Sequence, residues 1–549
     1  MPAIITDQYR ILNAETFIDS FVGIGTTGNN NYYTFLAHPN PKNVGVKNYG
    51  FADWGNPVPN PVDAFSQENF YYDSMLFLKK VTSDDVRRVI PRLNWQTGTI
   101  YDMYRNNYSG KNDYIDQNLT PQTKSTSLYA ANYYVVTSEF RVYLCINNGS
   151  NPDNPDGQKS TAEPTHTNTA PATAGDGSDG YKWKYLYSIS PSDIVKFVTS
   201  KYVPLPKKWG DATNENIKNA AVDGKIESVI IKDTGTGIAV GTTDSGTVSQ
   251  IPISGDGTGG SATVDIQGGA VQSISIVGGS GYTYGQVRFI TGDYTDGVGN
   301  NVSIAIPTSS VDQPKFEVII PPKGGHGADI YRELGGFRVM VYSKFDNNIN
   351  DKADYIVGND FSRVGIIKDP LEFGGTSTLN KRTATSLGAL KLKVPSGSST
   401  VLSNVVYPKN TKIIQYSNDS TIGIGTAIGY VASWDSNTGV LRYYQPVGFS
   451  TQSVYGYELR NFVGVATAIE GATHIIPGQT VDNLEVDTTF SAESITVGQR
   501  SESLGHTFIN GVANPEIKKF SGEIIYIDNR APVTRTSSQK EEVKIVIEF

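Results

Sequence analysis

A mainly β, multi-domain fold is expected of this chain on three observations. Only 18% of its residues are charged while it carries 56 glycines and 32 tyrosines, a balance that suits loop-rich strand structure better than long charged helices. Runs of β-branched and aromatic residues bounded by Gly, Pro, Asn and Asp recur from end to end. The third observation is the C-terminal stretch 521–549. Glu523-Ile524-Ile525-Tyr526-Ile527 reads as a strand apolar on both faces, stopped by Asp528-Asn529-Arg530-Ala531-Pro532, where turn formers and a proline oppose further ladder bonding. After it, Val543, Ile545, Ile547 and Phe549 alternate with Lys544, Val546 and Glu548, the period of a strand with one face in a core. Two strands alone are marginal in water, so this pair must dock on segments far upstream. The expected architecture is a layered β-sandwich core assembled from discontinuous segments, with two inserted small β domains and a few short helices.

The elements follow in order. Residues 11–23 read as a short helix capped by Asn13, with Phe17, Ile18 and Phe21 on one side. Tyr32-Tyr33-Thr34-Phe35-Leu36-Ala37 reads as a strand, and residues 76–81 as another. Ser83-Asp84-Asp85 begins a short helix that must stop before Pro91. Two strand-like runs occupy 133–137 and 141–146, followed by an exposed Asn/Pro/Thr/Gly excursion over 147–180. From it emerges Tyr181-Lys182-Trp183-Lys184-Tyr185-Leu186-Tyr187, with Tyr181, Trp183, Tyr185 and Tyr187 on one face and Lys182, Lys184 and Leu186 on the other. Such a stripe can stack bases or sugars, but its lysines are too few for a nucleic-acid groove, and a half-buried core face is the expected role. Ser192 caps a short helix through Val198, and proline-rich 201–209 ends a first block.

A different composition begins at Gly224. Residues 226–237 resemble 271–282, and 255–266 echo 292–306, a tandem duplication of a β unit. Two copies suggest a self-contained β domain rather than an open solenoid, which needs about three repeats to bury its faces. The run 334–342 is a strong strand, and 361–372 is a strand broken by Pro370. A second insert, about 390–485, carries strands at 412–416, 429–433 and 440–444, the last two joined by the hairpin turn Trp434-Asp435-Ser436-Asn437-Thr438-Gly439. The expected division is 1–212 (core, with long loops), 222–312 (first insert), 313–388 (core), 389–500 (second insert) and 501–549 (core strands). Removing 224–310 is expected to leave a folded protein.

At 549 residues the chain has room for roughly three or four domains and a core that needs no metal or disulfide. Its one cysteine, Cys145, sits in an apolar run and reads as a small buried hydrophobe. The start Met1-Pro2-Ala3-Ile4-Ile5 has no basic, apolar export pattern and no window is apolar enough to span a bilayer, so no membrane insertion is expected and synthesis is placed in a reducing cytosol. A net charge of −8 opposes binding to nucleic-acid backbones.

Catalytic and cofactor signatures are weak. Gly255, Gly257 and Gly260 fit G-x-G-x-x-G, but no helix pattern opens after them, as dinucleotide binding requires. Asp346, Asn348 and Asn350 open like a calcium loop, yet Asp351 stands where glycine is needed and Val357 where glutamate is needed. The histidines, His38, His166, His326, His474 and His506, are isolated. No cofactor, metal, small-molecule substrate or enzymatic activity is expected.

Read together, Tyr9-Arg10, Val89-Ile90-Pro91-Arg92 with Trp95, Val142-Tyr143-Leu144-Cys145, Asp179-Gly180-Tyr181-Lys182-Trp183-Lys184-Tyr185-Leu186, Ile366-Ile367-Lys368-Asp369-Pro370-Leu371-Glu372 and Gly522-Glu523-Ile524-Ile525-Tyr526-Ile527-Asp528-Asn529-Arg530-Ala531-Pro532, with the final strand 541–549, resemble in this order the baseplate wedge subunit family of T-even-type contractile-tailed phages, the product of gene eight. The resemblance covers about 1–209, 361–372 and 521–549; the two inserts depart from the family. It implies a virion structural protein of the tail baseplate, assembled in the host bacterial cytoplasm, with a β-sandwich core. It also implies a homodimer that joins neighbouring wedge proteins. The family-matching residues expected to brace the core are Trp95, Tyr181, Trp183, Tyr185, Pro370, Tyr526, Pro532 and Ile545. The alternative expectation, from the Tyr/Trp/Asn richness and the inserts, is a carbohydrate-binding tail-fibre or receptor-recognition protein.

Overall fold

The computed structural model describes residues 5–21, 30–38, 57–108, 125, 127–346, 360–417, 425–445, 461–474, 482–534 and 539–549. The fold is mainly β, with 42% of residues in strands against 10% in helices, arranged in several antiparallel sheets. The chain divides into two compact units. One comprises Met1–Phe17, Arg87–Met340 and Val546–Phe549; the other comprises Ile18–Val86 and Val341–Ile545.

The first unit is built on a three-stranded antiparallel sheet of Tyr134–Val136, Arg141–Asn148 and Tyr181–Ser188. Its core gathers Tyr133, Tyr143, Leu144, Cys145, Tyr181, Trp183, Leu186 and Tyr187. The C-terminus belongs to this unit as well. Glu548 pairs with Arg10 at 2.7 Å and Arg338 at 2.9 Å, and Phe549 donates its N–H to the Phe337 carbonyl at 3.1 Å.

The first insert closes on one core of its own, to which both halves of the sequence duplication contribute: Ile226, Val248, Ile251, Val264 and Ile266 from one, Val271, Tyr282 and Ile304 from the other. Its main sheet runs in the order Ala270–Ser280, Thr258–Gln267, Gly246–Gly255, Gly292–Thr295, Asn301–Ala305 and Ala239–Val240, so the two halves interleave. At its base Ser228–Asp233 pairs with Lys315–Ile319. That ribbon faces two ways: Val229 and Ile231 serve the insert, while Ile230 and Ile319 lie in the core of the aromatic sheet.

The second unit holds a five-stranded sheet ordered Thr383–Thr385, Met75–Val81, Tyr32–Ala37, Asp360–Lys368 and Glu523–Thr534. Glu523–Thr534, the first of the two C-terminal strands, thus docks on Asp360–Lys368, far upstream, as its inability to stand alone requires. The second insert's sheet, in which Gly425–Asp435 and Val440–Tyr444 make the expected hairpin with Gly439 at φ +67°, also takes in Val512–Ala513 beside Gly388–Lys393, so the stretch after 500 is shared with the insert.

Several local expectations are corrected. The first helix spans Asp7–Ser20, so Asn13 lies inside it; the Thr6 hydroxyl accepts from Tyr9 N at the helix start. Ser83–Asp85 is a single turn, with Asp85 accepting from the Thr82 backbone N–H and hydroxyl, before the strand Val86–Pro91. The helix Pro191–Phe197 is capped by Ser190, not Ser192, because Pro191 supplies the first helical φ and Ser190 Oγ accepts from Asp193 N at 3.2 Å.

The terminal strand is not apolar on both faces in effect, since Glu523–Thr534 is half-buried to exposed, and it does not stop at Pro532. Between the pairs Arg363↔Asn529 and Phe361↔Val533 it carries extra residues, so Pro532 sits in a bulge on an edge strand. A missing N–H costs little there.

Candidate functional site

The aromatic strand Tyr181–Ser188 holds three of the residues expected to brace the core. Tyr181 and Trp183 are both fully buried, their rings stacked 5.2 Å apart at 13°. Tyr101 meets Trp183 edge-on at 5.7 Å. The Tyr181 hydroxyl accepts from Tyr101 N at 2.9 Å and donates to the Gln158 carbonyl at 2.8 Å, tying the strand to the Asn-rich excursion. The Trp183 indole N–H has no hydrogen-bond partner among the described residues. Tyr185 is half-buried, its ring edge-on to Tyr143 at 5.6 Å and its hydroxyl bonded to Ser188 Oγ.

The expected polar face is not polar in its setting. Lys184 is 1% exposed; its ammonium donates to the Thr169 carbonyl at 3.1 Å and pairs with Glu227 at 3.5 Å. Leu186 is fully buried, and the strand bulges between the pairs Tyr143↔Tyr185 and Val142↔Tyr187. Both faces are therefore core, and the buried lysine is held by a carboxylate from the base of the first insert. This stripe offers no open platform to bases or sugars.

The remaining residues expected to brace the core lie in several places. Trp95 is half-buried against the same core and donates its indole N–H to Ser160 Oγ at 3.1 Å. Pro370 is buried after Asp369, which has φ +50° and accepts from Asn31 N at 2.6 Å. Tyr526 is half-buried opposite Ile366, and burial raises its pKa. Ile545 is buried in Glu541–Glu548. Pro532 is exposed and braces no core, because its strand has bulged away from its partner there.

Two polar constellations escaped the reading of the sequence. Arg363, 1% exposed, donates to the His38 carbonyl, to Ser74 Oγ at 3.0 Å and to Asn529 Oδ1 at 3.1 Å. It lies over the Tyr71 ring, and burial lowers its pKa to about 10. One guanidinium thus joins three distant segments of the second unit to its terminal strand. In the first unit His326 Nδ1 lies 2.5 Å from Glu333 Oε1, Glu333 Oε2 accepts from Gly327 N at 2.8 Å, and the Tyr104 ring stands edge-on to the imidazole. Both side chains are nearly inaccessible, so the pair fastens a loop to the short helix Ile330–Glu333.

The motifs with catalytic overtones resolve into packing. A side chain at Gly257 would fall on the Tyr282 ring, and at Gly255 or Gly260 it would also meet Tyr282. The Tyr282 hydroxyl in turn accepts from Gly260 N at 3.1 Å and donates to the Ile253 carbonyl at 3.0 Å. These glycines make room for a tyrosine. Cys145 is fully buried, and burial pushes its thiol well above the usual range, the opposite of nucleophile activation. Among the described residues no group of three His, Cys, Asp or Glu side chains could hold a metal, and no helix is long and apolar enough to cross a membrane. Asn348, Asn350, Asp351 and Val357 of the calcium-like run, and the His474 side chain, lie outside the described residues.

Compared with known proteins, the chain matches no family model and no curated protein.

Proposed function

We propose that this chain is a structural subunit of a contractile phage tail baseplate, joining neighbouring wedge proteins as a homodimer in the virion. The observation that carries the reading is the ordered series of family-like segments at 89–95, 142–145, 179–186, 366–372 and 522–532, which end in the same terminal strand. Support also comes from how those segments are used: they form sheets and corners whose charged groups, such as Lys184 and Asp369, are spent on internal ties. A scaffold needs such over-determined frameworks, because assembly order depends on rigid surfaces that exist before the next subunit arrives. On this reading the chain turns over no substrate, and its partners are a second copy and other wedge proteins. Antibody raised against the purified chain is expected to label the base of contractile tails in electron micrographs of phage particles. Labelling confined to fibres or absent from particles would overturn the proposal.

A further inference from the structure

The first insert carries an open groove of about 500 Å³ whose lining includes Gln250, Pro252, Arg288, Asp293, Tyr294 and Asn301. Three features mark it. The strand Gly246–Gly255 bulges between Val248 and Ile251, and Gln250 within that bulge has φ +60°. Bulges re-aim side chains, and a non-glycine residue in the left-handed region costs energy that a purely structural strand would avoid. The walls are fixed: the Tyr294 hydroxyl accepts from Ile290 N at 3.2 Å and donates to the Ile290 carbonyl at 2.9 Å, while Arg288 N donates to the Pro252 carbonyl at 2.9 Å. The polar tips are unspent. The side chains of Gln250, Arg288, Asp293 and Asn301 are exposed and make no hydrogen bond or ion pair among the described residues.

We propose that this groove binds an uncharged oligosaccharide. Its volume is that of a small-ligand site. Two amides, a guanidinium and a carboxylate offer donors and acceptors in mixture, the complement of sugar hydroxyls that both give and accept. Pro252 and Tyr294 supply apolar surface for the C–H faces of a pyranose ring. The single cation and single carboxylate cancel, which disfavours an anionic ligand. The groove opens where Gly292–Thr295 and Gly246–Gly255 diverge, since these two strands meet only at the pair Ser249↔Thr295. The inference does not rest on the baseplate reading, and either can fail alone.

The test uses the full chain on an array of neutral and of sialylated or uronic-acid oligosaccharides, followed by titration of the best neutral binder at millimolar concentrations with saturation-transfer NMR. Saturable binding of a subset of neutral glycans is expected. Asp293→Ala and Asn301→Ala should each weaken it, Asp293→Ala by about tenfold or more given the worth of a hydrogen bond to a charged group. Gln272→Ala, on an exposed position elsewhere in the insert, should bind as wild type, and all three should melt as wild type. Absence of neutral-glycan binding, preference for the charged glycans, or unchanged binding in both groove variants would each overturn the proposal.

Discussion

Replacing Trp183 by alanine removes the largest side chain that is wholly inside the first unit. Truncation of a buried Trp costs about 3–5 kcal/mol. Full burial, the stacked ring of Tyr181 at 5.2 Å and the edge contact from Tyr101 at 5.7 Å place this site toward the upper part of that range. One term works the other way. The indole N–H is buried without a partner, and losing it returns about 1–3 kcal/mol of desolvation cost. The net expectation for Trp183→Ala is a loss of about 3 kcal/mol. Trp183→Phe keeps most of the ring contact and also discards the unpaired N–H, so it should cost less than about 1.5 kcal/mol, like other hydrophobic swaps of similar shape. Urea unfolding followed by far-UV circular dichroism, read on the transition of the first unit, measures both. A loss below about 1 kcal/mol for Trp183→Ala would refute the reasoning, since no fully buried indole is so cheaply removed. A Phe variant as unstable as the Ala variant would show that the N–H has a partner after all.

Three further outcomes are expected. A β-carbon at Gly365 would fall on the Phe35 ring and lie 2.5 Å from the Tyr526 carbonyl oxygen, so Gly365→Ala should lower stability by about 1–3 kcal/mol through overpacking, measured as the urea midpoint of the second unit. His506 is buried with its Nδ1 unpartnered; burial first, then the Arg442 and Lys381 cations, lower its pKa from 6.5 to about 3. The unfolded chain therefore takes up this proton before the folded one does, and stability is lost as pH falls from 6.5 toward 3; between pH 6.5 and about 5, where carboxylates are mostly silent, His506→Leu should flatten the slope of melting temperature against pH. Deleting 224–310 takes Ile230 out of the first unit's core and leaves Lys184 without Glu227, a loss of about 3–5 kcal/mol from the stranded charge alone, so contrary to the expectation from sequence it should unfold that unit. Deleting 237–311 between the bonded neighbours Thr236 and Asp312 should spare it, as thermal melts would report.

What the sequence made legible was periodic and local. The hairpin at 434–439, the strand at 32–37 and the aromatic strand announced themselves through turn chemistry and alternation, which depend on neighbours a few residues away. The strand at 523–534 reads as docking far upstream because two strands cannot stand alone, although its partner, Asp360–Lys368, could not be named. Bulges are not legible, since one or two extra residues in a ladder leave no mark on composition, and so the sequence points Pro532 to the core; the burial of Lys184 is not legible because the carboxylate that holds it, Glu227, lies far along the chain. The ties made by Arg363 and by His326 with Glu333 escaped because each partner is isolated in sequence and the pairing exists only in space. A lone arginine within Phe361-Ser362-Arg363-Val364-Gly365-Ile366-Ile367 was the one available signal, for a charge in such a run must find partners if it is buried.

The claim that this molecule serves by holding neighbours in place is tested most directly by its mass in solution. On the baseplate proposal, light scattering of the purified chain, alone and mixed with candidate wedge proteins, should give a dimer that grows into a defined larger complex. A chain that stays monomeric, ignores those proteins at every ratio and instead turns over a substrate would contradict the account.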